Sequence, residues 1–356
     1  MAPIKSTKFG YMSMFTDKVE EDNFLVGIGA TYSTTQVFQP GNGYEYVFFT
    51  APGYLSLGVG GQVDLLLVGG GGAGGNGGQR PSPAVYYGGG GGGAGGYLEK
   101  LDFTLPIGFY EIRVGSGGIA VVNSGGPPGY IRLGTSGDPS TITGPTITDL
   151  IAYGGGGGAG AYDTPPNTPA SNASDGGSGG GGAHSQTIGE GNRTTATAPA
   201  TGSPIPAYLQ NIGGTSVQGH PGGDSTSVFY AGGGGGAGGA GNEYPQASDI
   251  VNGGIGRAAF SDDPGIPPTY GTPGPTPGRY FAGGGGGGGD SGAGIGGDGG
   301  GGRGGDDNPP GGLVASTDGT ANTGGGGGGG SGESSPTYKG KNGGSGIVIV
   351  RYKISL

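Results

Sequence analysis

Two pairs of adjacent carboxylates, Asp262-Asp263 and Asp306-Asp307, and two histidines, His184 and His220, are the side chains of this 356-residue chain whose types fit acid–base or metal chemistry. Paired carboxylates serve glycoside hydrolysis or ligate calcium. Both pairs stand in Pro- and Gly-rich stretches, the composition of solvated turns, and no nine-residue calcium-binding repeat recurs around GGDGGGGRGGDDN. The histidines are isolated in loops, so neither a zinc site nor a Ser/His/Asp triad takes shape. Gly-x-Gly-x-x-Gly occurs many times, but phosphate binding requires a strand before it and a helix after it. No following helix is readable, and Gly340-Lys341-Asn342 lacks both the earlier glycine and the hydroxyl of a phosphate loop. Asn172-Ala173-Ser174 and Asn192-Arg193-Thr194 match glycosylation sequons, which matter only on a eukaryotic secretory route. The expectation is a non-enzymatic chain with no catalytic residue, no metal site and no cofactor.

Tyrosine carries a stronger signal. There are 19 Tyr and 11 Phe but no Trp. Those touching glycine runs, Tyr87, Tyr153, Tyr230 and Phe281, are expected to pack over the ends of a glycine scaffold. Tyr162, Tyr208, Tyr244, Tyr270 and Tyr338 stand among Asn, Asp, Thr and Pro, a mixture suited either to adaptable recognition or to internal loop packing.

What must position these side chains is unusual. The chain holds 102 Gly and 27 Pro and is only 31% hydrophobic, which excludes an ordinary helical or α/β enzyme. A net charge of −10 argues against nucleic acid or an anionic membrane as the main partner. With no Cys there is no disulfide framework and no thiolate site. The opening MAPIKSTKFGYMSMFTDK lacks the apolar core of a signal peptide, and no later apolar run is long enough to span a bilayer, so no membrane insertion is expected.

Residues 1–62 hold few glycines and read as a small β-rich attachment or capping region. Residues 63–356 read as a glycine-rich domain closed by a C-terminal strand, 347–352. Short β-like stubs at 63–68, 148–153, 227–230, 279–282 and 347–352 abut glycine runs at 69–72, 88–93, 154–158, 179–182, 232–236, 283–289 and 324–330. This is an imperfect repeat whose units are not stable singly. Polyglycine resists the α-helix by about 1 kcal/mol per residue and brings no side chains to a strand. What remains is the polyproline-II-like threefold helix, which makes no internal hydrogen bonds and rises about 3.1 Å per residue. Helices without Cβ atoms approach closely enough for N–H and Cα–H groups to meet neighbouring carbonyls. Ordering each glycine costs about 1–2 kcal/mol, so only a bundle in which most glycines make several contacts offsets it. The expected fold is mostly irregular and β: a packed polyglycine-II lattice with short strand stubs and long loops. Gly90, Gly156, Gly234, Gly286 and Gly327 are its scaffold positions.

If the stubs mark one end, each run leaves that end, turns and returns. Up-and-down packing then assigns 79–87, 161–175, 242–252 and 306–323 to turns at the far end, and 183–226, 257–278 and 333–342 to the stub end. Function on such a scaffold belongs to the loops. The far-end candidates for receptor contact are Arg80, Tyr86, Tyr162, Asn167, Asn172, Tyr244, Asp249, Asp306 and Asp307.

The stretch YVFFTAPGYLSLGVGGQVDLLLVGGGGAGG, the GGGGGAGG runs after an aromatic-Ala stub and the ending GGSGIVIVRY closely resemble the glycine-rich domain of tail fibres and tail-tip adhesins of tailed bacteriophages. The resemblance covers residues 44–352. It implies a virion protein whose polyglycine-II sandwich presents variable loops to a host-cell glycan or outer-membrane protein. It also implies docking on other tail or fibre proteins, through residues 1–62. A structural fibre, collar or capsid appendage without receptor contact is the alternative. A loop-borne enzyme or metal-dependent lectin using the acidic pairs is a third reading.

Overall fold

The computed structural model describes residues 35–353 apart from 59, 82–83, 122–132, 145–146, 148, 162–172, 186–191, 194–217, 226–228, 244–250, 261–264, 291, 307–313 and 333–338. The strands are β1 (Thr35–Phe38), β2 (Tyr44–Phe49), β3 (Gly53–Leu57), β4 (Gly61–Val68), β5 (Gly78–Pro81), β6 (Ala84–Tyr87), β7 (Tyr97–Leu105), β8 (Gly108–Arg113), β9 (Ser140–Thr143), β10 (Leu150–Ala152), β11 (His184–Ser185), β12 (Asn192–Arg193), β13 (Arg257–Ala258), β14 (Tyr280–Phe281) and β15 (Ile347–Lys353). Among the described residues there is no helix.

Alternating side chains build a two-sheet sandwich. A five-stranded antiparallel sheet, β1-β2-β15-β4-β7, faces a four-stranded one, β10-β9-β8-β3. Val47, Phe49, Leu65, Leu67, Val348 and Val350 point between the sheets and meet Leu55, Tyr110, Ile112, Ile142 and Leu150. The opposite face of the larger sheet carries Tyr46, Phe48, Leu66, Ile347 and Ile349, which are covered by Phe260, Ile266, Tyr270 and Phe281. That double burial explains why β15 reads IVIV without alternation. Phe48 and Tyr270 stack with ring centroids 4.3 Å apart. The Arg279 guanidinium holds this covering segment by donating to the carbonyls of Tyr270, Pro268 and Gly271 at 2.7, 2.8 and 2.5 Å. Of the two roles open to Tyr270, adaptable recognition or internal packing, the structure shows packing, with the side chain buried.

Three strands of the two large sheets after residue 62 are not among the expected stubs, β7, β8 and β9, and neither are the short strands β5, β6, β11, β12 and β13. The division expected after Gln62 falls inside β4, and β2 and β3 before it share sheets with β15 and β8 after it. Residues 1–34 lie outside the described structure.

Beyond β4 the chain stays extended but leaves the sheet, and its hydrogen bonds acquire a period of three. Gly69, Gly72 and Gly75 donate to Gly96, Gly93 and Gly90; Gly70 and Ala73 donate to Asp138 and Thr135; Gly71 and Gly74 donate to Gly344 and Lys341, all at 2.8–3.0 Å. Successive residues thus address three different neighbouring segments, and every third residue returns to the same one. Segment 88–96 is bonded in this way to 69–76, 154–161, 178–182, 231–237, 283–289 and 324–330, so its whole circumference is occupied. A Cβ added at Gly90, Gly156, Gly234, Gly286 or Gly327 would lie well inside 3.0 Å of a neighbouring backbone carbonyl. Contiguous glycine is therefore what an interior segment requires.

Outer segments follow a different pattern, with glycine at the inward positions and a side chain at the outward one. Ile119 in GSGGIA is 68% exposed and Ile295 in AGIGGD is 60% exposed. Short polar side chains satisfy the amides along this rim. Asn252 Oδ1 accepts from Ile295 N at 2.8 Å, Thr317 Oγ1 from Arg303 N at 2.8 Å, and Asp318 Oδ1 from Asn342 N at 2.9 Å. Asn342 Oδ1 in turn accepts from Ala120 N at 2.7 Å. These side chains stand where one more glycine segment would otherwise pair.

Candidate functional site

The glycine segments have two ends, and contacts between their termini define them. At the sheet end Gly69 donates to Gly96, Gly96 to Tyr153, Gly95 to Gly324 and Ala282 to Thr323. At the far end Gly330 donates to Gly75, Gly89 to Gly330, Gly288 to Gly89 and Ala231 to Gly288. An apolar cap of Tyr87, Ala159, Ala161, Ala173, Ala183 and Ala231 closes the far end.

Asn76 is the polar clip of this end. Its Nδ2 donates to Val121 O at 2.5 Å, its Oδ1 accepts from Gly340 N at 2.9 Å, and its carbonyl accepts from Ala161 N at 3.0 Å. The side chain thus joins the segments that enter 122–132 and 333–338, and the backbone carbonyl of the same residue ties in the one that enters 162–172. Asn76→Ala leaves the buried Gly340 amide and the half-buried Val121 carbonyl without this partner, a cost of about 1–3 kcal/mol. The expected result is a matching loss in urea denaturation midpoint with an unchanged slope.

The far end gathers most of the expected turns. Strands β5 and β6 pair at this end, Gln79 opposite Tyr86 and Arg80 opposite Val85, so the backbone positions of Arg80 and Tyr86 belong here. Ala161 and Ala173 flank 162–172, Gly289 meets Gly305, and Asp306 bridges Val314. Tyr162, Asn167, Asn172, Tyr244, Asp249, Asp307, Tyr208, Tyr338 and the Asp262-Asp263 pair lie outside the described residues.

Four expectations are corrected. Asp306 is 1% exposed and accepts from Gly292 N at 2.8 Å and Ala293 N at 3.3 Å, so it ties a turn together and is not displayed. Burial and the Asp306 carboxylate raise the pKa of neighbouring Asp290 above the usual carboxylate value. Tyr230, placed with the stubs, bridges Gly289 at the far end. Segment 183–226 begins at the far end, because Ser174–Gly177 returns to Gly157 and Gly154 and 178–182 runs outward again. It comes back at Gln218, whose side chain bonds Tyr153 N at 2.9 Å and Ile151 O at 2.6 Å. Segment 333–338 also lies between far-end residues, since Ser316 Oγ donates to Lys339 O at 2.5 Å and Gly330 donates to Gly75. Segments 173–177 and 314–320 are return passes without a glycine run, and each reverses the direction that simple up-and-down packing of the runs predicts. By contrast 257–278 does stand at the sheet end, where β13 pairs with β14.

Segment 122–132 was assigned to neither end, although Val121 and the return through Gly134 to Gly158 put its two ends at the far end. The signal was the glycine-glycine-side chain spacing of GSGGIA on one side and GTSGD on the other. Among the described residues no group of three acidic or His side chains is placed to hold a metal ion. His220 contributes its backbone carbonyl to Gly179 N, and burial together with the Arg257 cation lowers its pKa. No helix of the described residues is long and apolar enough to cross a membrane.

No curated protein matches the chain. A family described as the glycine-rich domain matches residues 52–353, from the turn before β3 to the last residue of β15. That span takes in the four-stranded sheet, the β15, β4 and β7 strands of the larger sheet and every glycine segment described above, leaving out only β1 and β2, and the chain belongs to the glycine-rich domain family.

Proposed function

We propose that the chain is a bacteriophage tail-fibre or tail-tip adhesin, a non-enzymatic virion protein that binds a host-cell glycan or outer-membrane protein through its far-end segments. In this reading the glycine segments form a polyglycine-II lattice, which the threefold rotation of hydrogen-bond partners supports. Residues 1–62 attach the molecule to other tail proteins, and nucleic acid, membrane insertion and cofactors have no part. The carrying observation is that segments 122–132, 162–172, 307–313 and 333–338 all depart from one end of a bundle whose framework is backbone bonded to backbone. Their sequences are free to vary without disturbing that framework, as recognition of changing surfaces requires.

Replacing 122–132 and 162–172 together by short Gly-Ser turns tests the reading. The expected result is assembled particles carrying a chain of unchanged melting temperature that no longer adsorb to the host. Gold-labelled antibody against 161–175 should mark a fibre tip. Label on capsid or collar with unaltered adsorption would instead make the protein a structural appendage.

A further inference from the structure

Four Asn-Gly pairs fall within the described residues: Asn42-Gly43, Asn76-Gly77, Asn252-Gly253 and Asn342-Gly343. This dipeptide is prone to self-modification, because glycine leaves its own amide nitrogen unshielded beside the asparagine side-chain carbonyl. In the glycine segments the reaction is blocked. Asn76 is 5% exposed and bonded at both side-chain atoms. Asn252 and Asn342 each fix Oδ1 on a neighbouring segment. The nitrogens that would attack, Gly253 N and Gly343 N, already donate to Ile295 O and Gly118 O at 2.9 Å.

Asn42 stands apart. It is exposed at the tip of the β1–β2 hairpin, between Gly41 at φ 84° and Gly43 at φ 83°. Its Oδ1 accepts from Tyr44 N at 3.1 Å, which folds the side chain back over the Gly43 peptide. Its Nδ2 lies 3.1 Å from the Tyr46 hydroxyl. The side-chain carbonyl and the leaving nitrogen are thus each attended by a separate group, the Tyr44 amide and the Tyr46 hydroxyl.

We infer that Asn42 is a site of autocatalytic deamidation. Gly43 N attacks Asn42 Cγ and gives its proton to water, and Tyr44 N–H stabilises the oxygen as negative charge develops on it. In the tetrahedral intermediate Nδ2, which donates to the Tyr46 hydroxyl in the resting amide, becomes amine-like and accepts the Tyr46 proton; the Cγ–Nδ2 bond breaks, ammonia leaves a cyclic succinimide, and Tyr46 regains its proton from water. Water opens the ring at either carbonyl, giving aspartate or isoaspartate. Either product places a negative charge at the hairpin tip and ends donation to Tyr46. Isoaspartate also adds a methylene to the backbone joining β1 to β2, so it weakens the pairing that closes with Phe38 opposite Tyr46.

The test is timed peptide mapping of the full chain in mildly alkaline buffer, native and in urea, with water carrying heavy oxygen to mark ring opening. In urea all four sites should convert at similar rates. In the native chain Asn42 should convert at least as fast as in urea, and the other three at least about tenfold slower, reflecting the geometry each site holds. Tyr46→Phe should slow native Asn42 and leave its rate in urea unchanged. Native conversion at Asn42 as slow as at Asn76, or insensitivity to Tyr46→Phe, would overturn the inference.

Discussion

Gly286→Val is expected to unfold the glycine segments, with a loss of at least about 4 kcal/mol, the scale of a severe core substitution. Gly286 donates to Gly302 and accepts from Gly329, both at 2.9 Å, and a Cβ there would sit within 3.0 Å of Gly294 O. The neighbour has nowhere to go. Gly294 itself donates to Gly287 and accepts from Gly304, so moving it breaks two further bonds. Valine adds two methyl groups to a position that lacks space for one. By the usual scaling for a domain of this size, calorimetry should show the melting temperature lowered by roughly 10 °C or more. Arg303→Val, at an exposed outward position of an outer segment, should stay within about 0.5 kcal/mol of the parent. Equal melting of both variants would mean that the segments are not packed backbone to backbone.

The second large effect is expected at the ion pair inside the sheet. Arg351 on β15 donates to Asp64 Oδ2 on β4 through Nε at 2.9 Å and Nη2 at 2.5 Å, with both side chains only 10% exposed. The guanidinium is held between the rings of Tyr44 and Phe260, 4.4 and 4.3 Å from their centroids. Asp64 Oδ1 also accepts from Asp102 N at 2.8 Å, where the β4–β7 register shifts. Asp64→Ala removes one partner and strands a buried cation, which costs about 3–5 kcal/mol. Asp64→Leu combined with Arg351→Met removes both charges and should recover most of that loss. Urea denaturation of the single and double variants measures the coupling directly. A cost below about 1 kcal/mol for Asp64→Ala would show that the pair is solvated and that β15 is held by its apolar faces alone.

How far this architecture could be read from sequence depended on how each element is stabilised. The glycine runs were legible because a segment surrounded by other backbones tolerates no Cβ, as at Gly90 and Gly234. β15 was legible because burial on both faces demands IVIV. β7 and β8 were missed although FTL and FYEIR carry an alternating pattern. Exposed Leu101 on β7, Phe109 on β8 and Ile107 in the turn between them blur the contrast between inside and outside. The direction of the chain after residue 173 was misread because Ala173–Gly177 and Val314–Thr320 cross the bundle with few glycines. Outer segments need glycine only where they face inward. The loop composition around Asp306 predicts a displayed carboxylate, whereas its partners are two backbone amides, Gly292 N and Ala293 N, from another part of the chain. No local pattern encodes such a contact.

Site-resolved amide hydrogen exchange on glycine-labelled protein tests the central claim most directly. Gly89–Gly93 and Gly284–Gly288 each donate to a carbonyl of another segment. Their protection should therefore match that of Val348–Val350 in the middle of the sheet, because both open only when the domain unfolds. Glycine amides that exchange as fast as exposed ones while β15 stays protected would show the runs to be loose chain hung on a sandwich. The account of the molecule as one backbone-bonded scaffold would then be wrong.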